Sequence, residues 1–217
     1  MSGMLLFSPL TIRGLKLRNR IVVPPMHQYS ADKGFPTDWH LMNAGKFAAG
    51  GAGLVVVEST KVERRGCGTV GDLGIWDDKF IEPLSRLVKF IKQQNSVAGI
   101  QLGHAGRKAR ATRPWEGDRP LQRTPDIDDW DDWTPVAPSA IAHSEKWPAP
   151  RALERGEVKD LVQAWGNAAR RMRLASTSSN CTARTAISCT SFCRKNPTSA
   201  PTSMADRNQT ACASSPK

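Results

Sequence analysis

Gly53-Leu54-Val55-Val56-Val57-Glu58-Ser59-Thr60 decides how this chain is read. Four apolar residues stand in succession, three of them β-branched, and polar residues follow at once. A continuous apolar run suits a strand buried on both faces, as in a parallel sheet, better than the alternating pattern of a half-solvated one. Gly50-Gly51 lies just upstream and ends a helical stretch that runs from Trp39 to about Ala49, with Asp38 as the expected cap and Trp39, Met42 and Phe47 among its apolar positions. Downstream, Phe80, Ile81, Leu84, Leu87, Val88 and Ile91 recur at helical spacing after Asp77-Asp78.

Further outward the pattern repeats. Ile21-Val22-Val23, stopped by Pro24-Pro25, reads as a strand entering a loop, and Val97 to Leu102 as a third strand. A long segment from Gly106 to about Ala152 is rich in Pro, Asp and Trp, and loops of that length are usually functional or disordered. Val158, Leu161, Val162, Trp165 and Ala169 mark a further helix, which Arg170-Arg171 extends. Strands alternating with helices imply parallel βαβ units. In a closed barrel of such units the site lies on the loops that follow the strands. Here those loops are Pro24 to Tyr29, Glu58 to Thr60 and Gln101 to Lys108.

Composition bounds the alternatives. The 217 residues suit one domain, and 39% hydrophobic content excludes a wholly disordered polymer. No run approaches the ~20 apolar residues of a membrane helix, and the first ten residues carry no basic leader with a long apolar segment, so a cytoplasmic protein is expected. No G-x-G-x-x-G opens a helix, and neither G-x-S-x-G nor H-E-x-x-H occurs, which argues against a Rossmann site, a hydrolase elbow and a zincin. The net charge of +11 raises nucleic acid as a partner, but nearly half of it, +5, lies after Arg171, without the aromatic interleaving that stacks bases. Those last 46 residues are dominated by Ser, Thr and Ala and hold Cys181, Cys189, Cys193 and Cys212, with no C-x-x-C pair and no His to make a metal site. Residues 172–217 are therefore expected to be a disordered tail on a folded body of residues 1–171.

The loops also carry a resemblance. Phe7-Ser8-Pro9-Leu10, Leu17-Arg18-Asn19-Arg20-Ile21-Val22, Pro24-Pro25-Met26, Tyr29-Ser30, Leu73-Gly74-Ile75-Trp76 and Gln101-Leu102-Gly103-His104-Ala105-Gly106-Arg107-Lys108-Ala109, with the strand quoted first, resemble the old yellow enzyme family. Arg113-Pro114-Trp115-Glu116-Gly117 and Ala137-Pro138-Ser139-Ala140-Ile141 are similar to its xenobiotic-reductase subgroup. The match runs from about Leu6 to Arg171.

The resemblance implies an α/β fold, the eight-stranded (β/α) TIM barrel, holding FMN. The reductant would be NADH or NADPH, and the flavin would pass hydride to the activated C=C bond of an enone. Members are often homo-oligomeric. By resemblance Pro24, Pro25 and Met26 lie along the isoalloxazine, Ser59 stands near its reactive edge, Gln101 bonds its pyrimidine edge, and Tyr29 touches the substrate. His27 stands where similar enzymes usually show Cys or Thr beside the flavin, and an imidazole there can carry a proton near neutral pH. Structural roles remain open for Ser59, and for His104 and Arg107, which shape their loop; His40 and His143 are read as ordinary. A different FMN- or phosphate-binding barrel is the alternative, against which Tyr29 and Gln101 argue.

The family's carbonyl-binding pair (His with His or Asn), its following Tyr and its R-T-D-x-Y-G-G-S motif do not appear after Arg171. A one-phase change of reading frame accounts for this. Taking each codon from the third base of those translated, and choosing among the permitted synonymous bases, Met172 to Thr177 can yield A-A-G-F-D, Ser179 to Ser188 can yield E-L-H-G-A-H-G-Y, and Ser199 to Arg207 can yield R-T-D-Q-Y-G-G-S. The expectation is a barrel fragment of about three βα units and the helix before strand four, followed by an out-of-frame tail, and without ene-reductase activity of its own.

Overall fold

A computed structural model describes residues 4–177 and 186–187. A hairpin opens the chain: β1 (Leu10–Ile12) pairs antiparallel with β2 (Leu15–Leu17) across Arg13-Gly14, both at positive φ. The central sheet follows, built from β3 (Val22–Val23), β4 (Leu54–Lys61) and β5 (Val97–Gly103), all parallel, in that order. Helix α1 (Asp38–Ala49) crosses from β3 to β4, and α2 (Ile81–Gln93) from β4 to β5. The long segment after β5 contains a short parallel pair, β6 (Val136–Ala137) with β7 (Arg151–Ala152), and leads into α3 (Arg155–Thr177). Strand β8 (Ala186–Ile187) pairs parallel with β5 at Gln101 and Leu102, in the fourth place of the sheet. The order of strands is that of the first part of a (β/α)8 barrel.

One core lies between the sheet and its helices. Val55, Val57, Ala98, Ile100 and Leu102 meet Leu84, Leu87 and Ile91 of α2 and Leu161, Ala168 and Met172 of α3. Helix α1 differs from expectation in two ways. Thr37, not Asp38, is its N-cap, in a capping box closed by His40. Its buried stripe is His40, Ala44 and Ala48, whereas Trp39 and Met42 are about half exposed. Small residues permit a close crossing with α2: a Cβ on Gly45 would sit 2.7 Å from the Phe90 ring.

The helix thought to end near Arg171 continues to Thr177. Leu161, Trp165, Ala168, Met172 and Ala175 repeat at steps of four and three, so one apolar stripe crosses Arg171 without a break, and Met172 and Ala175 are buried. Within the expected tail, residues 172–177 are thus helical and 186–187 are strand. The tail cysteines, the segment Ser199–Arg207, and the segment Ser179–Ser188 apart from Ala186 and Ile187 lie outside the described residues. Among the described residues no helix is long and apolar enough to cross a membrane.

The Pro- and Trp-rich segment docks rather than hanging free. Trp133 is fully buried, donates from Nε1 to the Cys67 carbonyl at 2.9 Å, and takes the Arg64 guanidinium over its ring at 3.9 Å. Arg110 stacks on Trp130 in the same manner at 3.7 Å.

Candidate functional site

A cavity of about 320 Å³ opens at the C-terminal ends of the parallel strands, within the size range of small-molecule sites. His27 and Tyr29 reach it from the loop after β3, Ser59 and Lys61 from the end of β4, and Gln101 and Gly103 from the end of β5. Thr69, Asp72, Lys108, Thr112 and Asp118 complete its polar lining.

A bulge in β4 makes this convergence possible. Val57 pairs with Ile100 and Ser59 with Gln101, so Glu58 is an extra residue without a partner on β5. A one-residue slip in register moves every later side chain to the opposite face. Val55 and Val57 face the helices, and Ser59 and Lys61, which strict alternation would place beside them, share the cavity face with Gln101 instead. Glu58 turns towards α1, where its Oε2 accepts from the Gln28 backbone N–H at 2.9 Å and its Oε1 lies 3.1 Å from His40 Nε2. His40, which looked ordinary in the sequence, lies on the buried face of α1 beside the carboxylate that holds the loop carrying His27.

Close packing holds the bulged strand in place. Gly103 leaves room for the Ser59 hydroxyl, since a Cβ there would stand 2.1 Å from Oγ. Gly71 does the same for the Tyr29 carbonyl, which a Cβ would approach to 2.2 Å. Tyr29 itself sits at φ 54, a left-handed conformation that its carbonyl's hydrogen bond from Arg113 Nε, at 3.1 Å, helps to hold.

The interior of the site is charged. Lys61 and Asp72 are almost fully buried and form an ion pair at 3.4 Å. Asp72 also accepts from the Gly68 N–H and the Thr69 hydroxyl, each at 2.7 Å. Lys61 Nζ lies 2.9 Å from Ser59 Oγ and 3.2 Å from His27 Nε2. Burial pushes the His27 pKa below its ordinary value, the Lys61 charge pushes it further, and Asp72 and Glu58 oppose them. The His27 ring stacks on Tyr29, centroids 5.3 Å apart. Burial, then Asp72, raises the Tyr29 phenol.

Of the residues proposed from the sequence, His27, Tyr29, Ser59 and Gln101 line this cavity. Pro24 and Met26 line a separate, smaller space against α1 with His40 and Glu58, and Pro25 lines neither. His104 and Arg107 are turned to other work: His104 is buried, bonds Glu63 at 2.9 Å and accepts the Gly106 N–H, while Arg107 reaches Ser139. Sequence reading missed Lys61 and Asp72. The signal was an isolated lysine directly after an apolar strand, where a cation needs a buried partner.

A planar aromatic cofactor with polar edges suits these walls. The Gln101 amide offers both donor and acceptor, and it makes no hydrogen bond to protein among the described residues. Comparison with known proteins agrees. Residues 5–177 match the model of the NADH:flavin oxidoreductase / NADH oxidase family. An NADH:flavin oxidoreductase of Gibberella zeae is 41% identical over 166 residues, 76% of this chain and 40% of that protein. An NADPH dehydrogenase of Bacillus cytotoxicus is 40% identical over 172 residues, 78% of this chain and 44% of its own length. The chain therefore spans less than half of the curated relatives it matches. Among solved structures, the old yellow enzyme homologue of Zymomonas mobilis superposes with TM-score 0.62 at 25% identity, over 79% of this chain and 46% of that one. Morphinone reductase shares the fold, with TM-score 0.66 at 24% identity over 81% and 47% of the two chains. The chain belongs to the NADH:flavin oxidoreductase / NADH oxidase family, the old yellow enzyme group of flavin-dependent NAD(P)H oxidoreductases.

Proposed function

We propose that this chain supplies the flavin-facing part of an FMN-dependent enzyme that takes hydride from NADH or NADPH and delivers it to the activated C=C bond of an enone. The observation that supports it most is the meeting of His27, Ser59 and Gln101, from the ends of three successive parallel strands, on one cavity. FMN, when bound, supplies the hydride chemistry. Gln101 would hold the pyrimidine edge through its donor and acceptor, Ser59 and His27 would flank the reactive edge, and Tyr29 would meet the substrate above it. A phenol is protonated at neutral pH, and so a donor, and burial and Asp72 push Tyr29 further in that direction.

We further propose that the sequence from about Met172 onward is read out of frame, and that this chain alone does not turn over enones. In support, the three recoded segments stand in family order, and sites in such barrels also use the loops after later strands. Resequencing the gene around the Met172 codon tests the frame: unambiguous reads without an insertion or deletion would overturn it. FMN titration followed by visible absorbance, and NADPH-dependent enone turnover, test the function on the chain as written and on the frame-restored protein. The restored protein should be yellow and active. Absence of flavin binding by the restored protein would end the flavin reading, and turnover by the chain as written would end the claim of inactivity.

A further inference from the structure

We propose that Lys61 is a positioning residue: held by Asp72, it fixes His27 as the Nδ1–H tautomer, so that the cavity is offered one neutral N–H donor. The three hydrogens of an ammonium are all spent here, one each on Ser59 Oγ at 2.9 Å, His27 Nε2 at 3.2 Å and Asp72 Oδ2 at 3.4 Å. An ammonium has donors and no lone pair, so Nε2 must accept and the ring proton must sit on Nδ1. Nδ1 makes no hydrogen bond to protein among the described residues, and the ring lines the cavity.

Asp72 makes the arrangement rigid. Its carboxylate is itself fixed by the Gly68 N–H and the Thr69 hydroxyl, and its charge offsets the cost of burying Lys61. The charged and titratable groups facing His27 are Lys61, Asp72, Glu58 and Tyr29. Burial and Lys61 hold the imidazole neutral at pH values where a free one begins to charge. A residue that looked like a proton carrier in the sequence is therefore a fixed donor. Its ligand would be an acceptor atom, a carbonyl oxygen or an unprotonated ring nitrogen. That this acceptor belongs to the flavin or its enone rests on the function proposed above; the tautomer does not.

The test is long-range proton–nitrogen NMR on the full chain carrying nitrogen-15 histidine, with His27 assigned by its loss in His27→Gln. At neutral pH the expected spectrum shows a protonated Nδ1 and an acceptor Nε2, and a titration midpoint below 6.5. In Lys61→Met the ring should move towards the Nε2–H form, and its midpoint should rise. A wild-type Nε2–H tautomer, or a tautomer unchanged in Lys61→Met, would overturn the proposal. The wild-type spectrum decides by itself, so a variant that fails to fold does not protect the idea. Repeating the measurement with FMN on the frame-restored protein separates the two readings. The expected tautomer with no flavin effect supports the inference and counts against the flavin site, whereas an Nε2–H form with FMN bound overturns the inference alone.

Discussion

Trp115 stands edge-on to the ring of Tyr29, centroids 5.4 Å apart and planes at 89°, so the phenol is clamped between this edge and the stacked face of His27. Tyr29 is the only tyrosine in the chain, and its ionisation can be followed by absorbance without interference. Burial is the main cause of its raised pKa, with Asp72, Asp118 and Glu58 adding to it. The native midpoint should lie above 10.0 and fall on unfolding in denaturant. Trp115→Ala should lower the native midpoint and remove an aromatic contact of about 0.5–1.5 kcal/mol. An unchanged midpoint in that variant would show that the clamp does not desolvate the phenol.

Gln101→Ala removes a donor and an acceptor from the cavity wall without touching the core cluster. Losing one or two hydrogen bonds of about 0.5–1.5 kcal/mol each corresponds to a roughly 2- to 150-fold weaker FMN dissociation constant. Fluorescence titration of FMN into the frame-restored protein reads this directly.

Cys67 is buried, and its thiol is pushed up to about 12, mainly by burial and then by Asp72. The thiolate is the reactive form, so Cys67 should resist iodoacetamide at mildly alkaline pH in the native protein and react once denaturant is added. Peptide mapping by mass spectrometry distinguishes it from the cysteines after residue 177.

Trp133 joins the long segment after β5 to the end of β4. Trp133→Ala should cost about 3–5 kcal/mol, as for other fully buried large aromatics. Trp133→Phe keeps much of the packing but leaves the Cys67 carbonyl without its donor, a loss of about 1–3 kcal/mol. Urea midpoints of the two variants should therefore fall in that order below wild type.

Glu63 supplies an acid-sensitive contribution. Burial raises its pKa, but hydrogen bonds from His104 and Arg65 outweigh this and leave it below its ordinary 4.5. A folded pKa below the unfolded one means stability fully present above about 4.5 and lost as pH falls through the folded value. The stability gap between wild type and Glu63→Gln should narrow on acidification from pH 5 downwards, as read by urea unfolding at a series of pH values.

What could be read in advance follows from the range of the forces involved. Leu54 to Val57 and the periodic Leu84, Leu87 and Ile91 declare strand and helix because burial follows backbone periodicity. The stripe that carries α3 past Arg171 was also legible, but the change in composition there drew the boundary too early. Trp39 and Met42 misled because α1 buries its small residues, a choice dictated by how near α2 approaches. Lys61 and Asp72 were not legible as a pair. Their contact depends on a bulge at Glu58 and on a loop returning from eleven residues away, and neither leaves a local pattern.

The extra residue in β4 divides one strand into two independently editable parts. Up to Val57 the strand answers to the helices, and substitutions there are tested by volume. From Ser59 to Lys61 it answers to whatever occupies the cavity, and substitutions are tested by charge and hydrogen bonding. The polar lining of the cavity can thus drift without repacking, and the hydrophobic interior can adapt without altering that lining. Deleting Glu58 would set Ser59 directly after Val57 in a regular ladder, so Ser59 and Lys61 would keep the face they share with Gln101, and the loss would fall on the Gln28 N–H, left without the carboxylate it donates to.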